Sequence, residues 1–328
     1  MKALVHQPKG RLFRRWLALL LAFLVVVFSS IGSASAEPSA PRDFPDSATA
    51  GGGATVPAAP SDFTTRTGRW YRFVYPKSAE LIAKSLMAIA DSSRAELASE
   101  LGSPTVLDFV EIRVARSFQE MKQLAPEDMP PPSYAVGVAY ARSRLVVISL
   151  EAPNVNEPPH LPEVFRHELA HVALFDAVGG RDIPRWFNEG FAVHASGESS
   201  LDRARTLWSA TLAKQLLPLA DIEKTFPDHS TQTSIAYAQS ADFVRFLLRR
   251  QDRQRFSTLI GRVASGQSFD QALSDAYSTD IRVLEYQWRE EVKARYSYVP
   301  VFLGGGVVWV GAFAIICVGW VKRRRQHR

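Results

Sequence analysis

Two histidines and a glutamate within five residues form a set that could hold a metal ion and use it. His167 and His171 bracket the run His167-Glu168-Leu169-Ala170-His171. Successive residues of an α-helix turn by about 100°, so positions i, i+1 and i+4 share one side. The two imidazoles then offer nitrogens to one cation, and Glu168 reaches a water there without being a ligand. Zinc takes such nitrogen and carboxylate donors, and a catalytic zinc site keeps three protein ligands and one open position. The third ligand must come from elsewhere. Trp186-Phe187-Asn188-Glu189-Gly190-Phe191-Ala192 reads as a second, amphipathic helical segment, and a helix–turn–helix return brings Glu189 beneath the imidazoles. Without that segment the motif reads as two histidines on a surface helix.

The elements that must position these residues are legible on both sides. Trp70–Tyr75 and Val110–Val114 alternate as strands, and Tyr134–Tyr140 with Leu145–Leu150 read as a hairpin. Ser78–Leu101 has helical spacing and stops at Gly102, and Ser117 caps a short helix running to Leu124. Beyond the histidine motif, helical spacing recurs over Leu201–Leu217, Ser234–Arg250, Gln251–Ala264, Phe269–Tyr277 and Ile281–Tyr296, with a loop at Thr225–Gln232. The pattern implies an α+β body: a small N-terminal sheet, an active-site helix and a mostly helical C-terminal lobe.

His-Glu-x-x-His followed at this distance by Trp-x-Asn-Glu-Gly-Phe-Ala resembles the gluzincin zinc peptidases, the clan of thermolysin and the membrane alanyl aminopeptidases, and above all its bacterial peptidase MA-like family. The resemblance extends over residues 62–297. It implies a zincin-like fold, one Zn2+ held by His167, His171 and Glu189, and Glu168 as general base. It also implies a peptide or protein substrate. Ala236-Tyr237-Ala238-Gln239-Ser240 is similar to the element whose tyrosine stabilises the oxyanion, so Tyr237 takes that role by resemblance. The aminopeptidase branch carries a glutamate ahead of the zinc motif for the substrate's amino group. The matching stretch here, Gly137-Val138-Ala139-Tyr140-Ala141, has no carboxylate, which favours an endopeptidase. Thermolysin-like enzymes place an aspartate four residues after the ligand glutamate, where this chain has Val193; His194 stands beside it without a ligand role. Tyr134–Tyr140 is the expected edge strand along the cleft, where an extended peptide adds by backbone pairing. The alternative from another class is a catalytically lapsed zincin-like module that grips peptides or envelope components at the membrane. Intact Glu168 argues against it.

The two ends of the chain carry the charge. Of the 39 Lys and Arg residues, ten lie in 1–36 and 322–328, which hold no acids, so the remainder has 29 basic against 33 acidic residues. A mildly acidic body excludes the basic stripe that a nucleic-acid partner requires. Residues 1–36 read as a signal peptide, with Arg14-Arg15, an apolar run and Ala34-Ser35-Ala36 at its end. Residues 37–61, rich in Pro, Ala, Gly and Ser, read as a flexible linker. Val299–Val321 contains no charged residue and reads as a transmembrane helix, and Lys322-Arg323-Arg324-Arg325 opens a basic cytoplasmic tail, 322–328. These features imply a single-pass protein of the bacterial cell membrane with its catalytic domain outside the cytoplasm and the lipid bilayer as a partner. Cys317, the one cysteine, lies in that segment, so no internal disulfide forms.

Overall fold

A computed structural model describes residues 55–103, 105–152, 159–197, 201–227, 230–249, 252–297 and 306–326. The chain divides into Met1–Ala40 and Pro41–Arg328. The first unit, most of the 37–61 linker and residues 299–305 lie outside the described residues.

The strands β1 (Thr64–Thr67), β2 (Tyr71–Tyr75), β3 (Val110–Ala115), β4 (Gly137–Tyr140) and β5 (Leu145–Ser149) form one sheet in the order β1-β2-β3-β5-β4. The central pairs β2–β3 and β3–β5 are parallel, and the outer pairs are antiparallel. Helix α1 (Glu80–Leu101) makes the crossover from β2 to β3 and ends on Gly102 at φ +64°, the left-handed conformation that glycine adopts without a Cβ penalty. Helix α2 (Phe118–Leu124) starts where Ser117 accepts from the Glu120 N–H, as its type predicts.

Alternation sorts the strand residues onto two buried faces. Phe73, Tyr75, Ile112, Val114, Val146 and Ile148 join the main core under the helices. Ala115, Val138, Tyr140, Leu145 and Val147 form a second cluster with Met121 and Leu124 of α2. The segment ahead of Asp62 contributes to that second face: Val56 packs against it, and the Pro57 carbonyl accepts from Arg113 at 2.8 Å.

Helix α3 (Leu161–Ala177) carries the histidine motif across the main face of the sheet, and α4 (Arg185–Ala195) returns beneath it. The helical lobe follows as α5 (Leu201–Leu212), α6 (Ser230–Leu247), α7 (Arg253–Ala264), α8 (Phe269–Tyr277) and α9 (Ile281–Ser297). The α+β architecture expected from the sequence is thus observed. Two local differences have physical causes. Strand β1, read as Thr-Thr-Arg-Thr, carries no hydrophobic alternation because its residues are largely exposed. Helix α6 begins at Ser230, inside the expected loop; Thr233 there bonds the Pro227 carbonyl, so a hydroxyl that favours turns is satisfied within a helix.

The expected transmembrane helix is not supported. Among the described residues no helix is long and apolar enough to cross a membrane. Helix α10 (Gly306–Gln326) closes with the basic residues 322–325. The rest of the expected segment, residues 299–305, lies outside the described residues.

Candidate metal centre

Helix α3 is buried on nearly every side. Phe165, Leu169, Val172 and Leu174 fill the core around it, yet His167, Glu168 and His171 are only 1–2 % exposed. Burying three ionisable groups among hydrocarbon is costly unless something compensates. Helix α4 brings the compensating group. Trp186, Phe187 and Phe191 anchor it in the lobe, with ring centroids 5.2 Å from Phe243, 4.8 Å from Phe269 and 6.1 Å from Phe256 respectively. Each aromatic contributes roughly 1.5–3 kcal/mol when fully buried, so the helix has one seat and one rotation. Gly190 sets how close it lies to α6: a Cβ there would stand 2.5 Å from the Ser240 carbonyl oxygen and 2.8 Å from Val244.

That seat points Glu189 at the histidines. His167 Nε2 and His171 Nε2 are 3.1 Å apart, and Glu189 Oε2 lies 3.9 and 3.8 Å from them. Four ligands held 2.0–2.1 Å from a tetrahedral ion stand about 3.3 Å apart, so this triangle has the dimensions of three corners around one zinc. His171 Nδ1 donates to Asn188 Oδ1 at 3.0 Å, which places the proton on Nδ1 and turns the Nε2 lone pair inward. Burial, then His171 and then Arg203, holds His167 well below the ordinary imidazole pKa. Burial likewise pushes His171 down to about 4, against the pull of Asn188. Both rings are therefore neutral at pH 7, the form that ligates.

Glu168 faces the other way, toward β4. It accepts a hydrogen bond from the Ala139 backbone N–H, while its Oε1 has no partner among the described residues. Burial pushes its carboxyl up to about 8, with the Ala139 bond working against that. A cation in the triangle adds an opposite charge and lowers it again. Strand β4 is the edge of the sheet, as expected for this segment. The Val136 carbonyl accepts from Ser149 on β5. In an antiparallel ladder alternate residues face the partner, so the backbone groups of Gly137 and Ala139 face outward.

The chain carries a match to the peptidase MA superfamily over residues 92–294, more than half its length. This chain belongs to the peptidase MA superfamily. Among curated proteins, none matches it.

The structure brings together the three expected ligands of this peptidase-like chain, His167, His171 and Glu189; Glu168, next to His167 on α3, faces β4. The fifth expected site residue, Tyr237, sits on α6 with its ring edge-on to Phe226 at 4.8 Å and is not one of the three ligand donors. His194 turns away from the centre to Glu100 of α1, Nε2 to Oε1 3.5 Å, and His160 pairs with Glu163. His6, His229 and His327 lie outside the described residues. Sequence reasoning gave Asn188 no role. Its signal was position, one residue before the ligand glutamate, where a helical return aims it at the nearer histidine.

Proposed function

We propose that this chain is a zinc-dependent endopeptidase that hydrolyses an extended polypeptide outside the cytoplasm, tethered to a bacterial membrane. The observation that carries the reading is the meeting of three ligand donors with a buried carboxylate at the open edge of a sheet. His167, His171 and Glu189 would hold the ion, with Asn188 keeping His171 in the ligating tautomer. Bound there, zinc supplies Lewis-acid polarisation of the scissile carbonyl and acidifies the attacking water. Glu168 takes that water's proton and passes it to the leaving amine nitrogen. Tyr237 donates to the oxyanion. The outward backbone groups of Gly137 and the Ala139 carbonyl align the substrate strand, the Ala139 N–H being taken by Glu168. No carboxylate stands in Gly137–Ala141 to meet a free amino terminus, which favours internal bonds.

Export and tethering rest on the sequence of 1–36 and of 299–325. The exposure of Phe313, Ile315, Ile316 and Val318 on α10 supports an apolar environment for that segment. The test is proteomic mapping of cleaved termini in cells carrying the wild type or Glu168→Gln. Internal cleavages present only with the wild type support the reading, with purified Glu168→Gln keeping its zinc and losing about 10²–10⁴-fold in turnover. Stoichiometric zinc with identical termini in both strains would reject it and leave the lapsed binding module.

A further inference from the structure

The glutamate of the motif has a seat, and the seat is built from β4. Side chains of β4 alternate: Val138 and Tyr140 enter the cluster under α2, while position 137 faces α3. At that position the residue is glycine, though its backbone requires none, since its φ lies outside the left-handed range. The requirement comes from what lies opposite. A Cβ on Gly137 would stand 2.6 Å from Glu168 Oε1, 2.8 Å from Glu168 Cγ and 2.7 Å from Val164 Cγ1. Contacts that short do not occur, so one of these groups must move. Glu168 is 1 % exposed and Val164 equally buried, so neither can swing out into solvent. Two residues along, the Ala139 N–H fixes the same carboxylate through a hydrogen bond.

We infer that Gly137 is a positioning residue for the proposed hydrolysis: the missing side chain at 137 is the space in which the Glu168 carboxylate stands, and the Ala139 N–H holds it there. The inference rests on the peptidase reading but concerns geometry that can be examined without turnover. Position 137 then tolerates no side chain even though strand β4 itself would accept one. The same strand would align the substrate, so base and substrate share one reference element. A base displaced by about 1 Å costs on the order of 100-fold in rate.

The experiment compares wild type, Gly137→Ala, Glu168→Asp and the double variant. Gly137→Ala is expected to lower kcat about 100-fold with KM changed less than about 3-fold, zinc stoichiometric and Tm close to wild type. Its crystal structure is expected to show the Glu168 carboxylate away from the Ala139 N–H. Because Asp is one methylene shorter, Glu168→Asp should cost far less in the Gly137→Ala background than alone. Should the single Ala variant fail to fold, Gly137→Ala/Val164→Ala removes the clash with valine while keeping that with Glu168. Unchanged kcat, a carboxylate still on Ala139, or losses that simply multiply would overturn the inference. A wild type that cleaves nothing sinks the peptidase reading instead, and the crystallographic comparison still decides this one.

Discussion

Glu189 and Asp242 are both fully buried carboxylates, on two helices packed against each other at Gly190, and their surroundings differ in kind. Glu189 faces two imidazole nitrogens at 3.8 and 3.9 Å, beyond hydrogen-bond reach and right for a shared cation. Asp242 on α6 is satisfied by protein alone: the Trp288 indole donates at 2.9 Å, Arg295 at 2.8 Å, and Arg245 also donates. One acid stands with two histidines in a set that could hold a metal ion; the other is held by its neighbours and ties α6 to α9.

Glu189→Ala should produce the largest effect. With two ligands left, the centre no longer meets the three-ligand requirement of a catalytic zinc. Zinc content by atomic absorption should fall to near zero and peptide turnover with it, while the metal-free protein keeps its fold because the aromatic seat of α4 is intact. An unfolded Glu189→Ala protein would erase the contrast with Asp242.

Tyr237→Phe comes next and is the sharper test of α6. If the hydroxyl meets the oxyanion, kcat falls about 10²–10³-fold at constant zinc content and little changed KM. A full kcat would return Tyr237 to the core beside Phe226, with the stability side of the comparison. Asn188→Ala leaves all three ligands but releases the His171 Nδ1–H. Zinc affinity, measured by competition with a chelator, should weaken by about 10–100-fold; unchanged affinity would show that the packing of α3 alone sets the ring.

These tests also mark where the sequence was readable. His167, Glu168 and His171 were legible because helical periodicity alone puts them on one side. Glu189 was legible because its neighbours Trp186, Phe187 and Phe191 announce a buried helix. Asn188 was hidden because its meaning depends on the rotation of α4 about its axis, which distant rings such as Phe243 and Phe256 determine. Gly137 was legible only as the absence of a carboxylate; its contact with Glu168 joins a strand to a helix 31 positions later and leaves no local pattern. Strand β1 was invisible because an exposed edge needs no apolar period. The network of Asp242, Trp288 and Arg295 could not be read at all, because sequence spacing of 46 and 53 residues carries no geometric information.

Asp242 gives the smallest and most specific effect. Burial alone would raise its pKa, but Arg295, then Arg245 and the Trp288 indole, outweigh burial and hold the carboxyl below the ordinary range. His194 of α4, Arg203 of α5 and Arg245 line the same cavity, of about 270 Å³, and among the described residues no second acid does. Because the folded-state pKa lies below the unfolded value of about 3.9, the stabilisation is fully present above that value and is lost as pH falls through the folded pKa. Asp242→Asn should cost about 2 kcal/mol at pH 7, mostly from the charge-assisted bonds to Arg295 and Trp288, since Arg245 is largely solvent-exposed. Zinc content and kcat should not change. Thermal melts of the two proteins should then differ by a constant amount from pH 7 to pH 5, begin to converge only below about pH 4, and meet once the pH is under the folded-state pKa. A gap that persists in acid would mean that the asparagine disturbs packing rather than charge, and Asp242 would no longer stand as the electrostatic counterpart of Glu189.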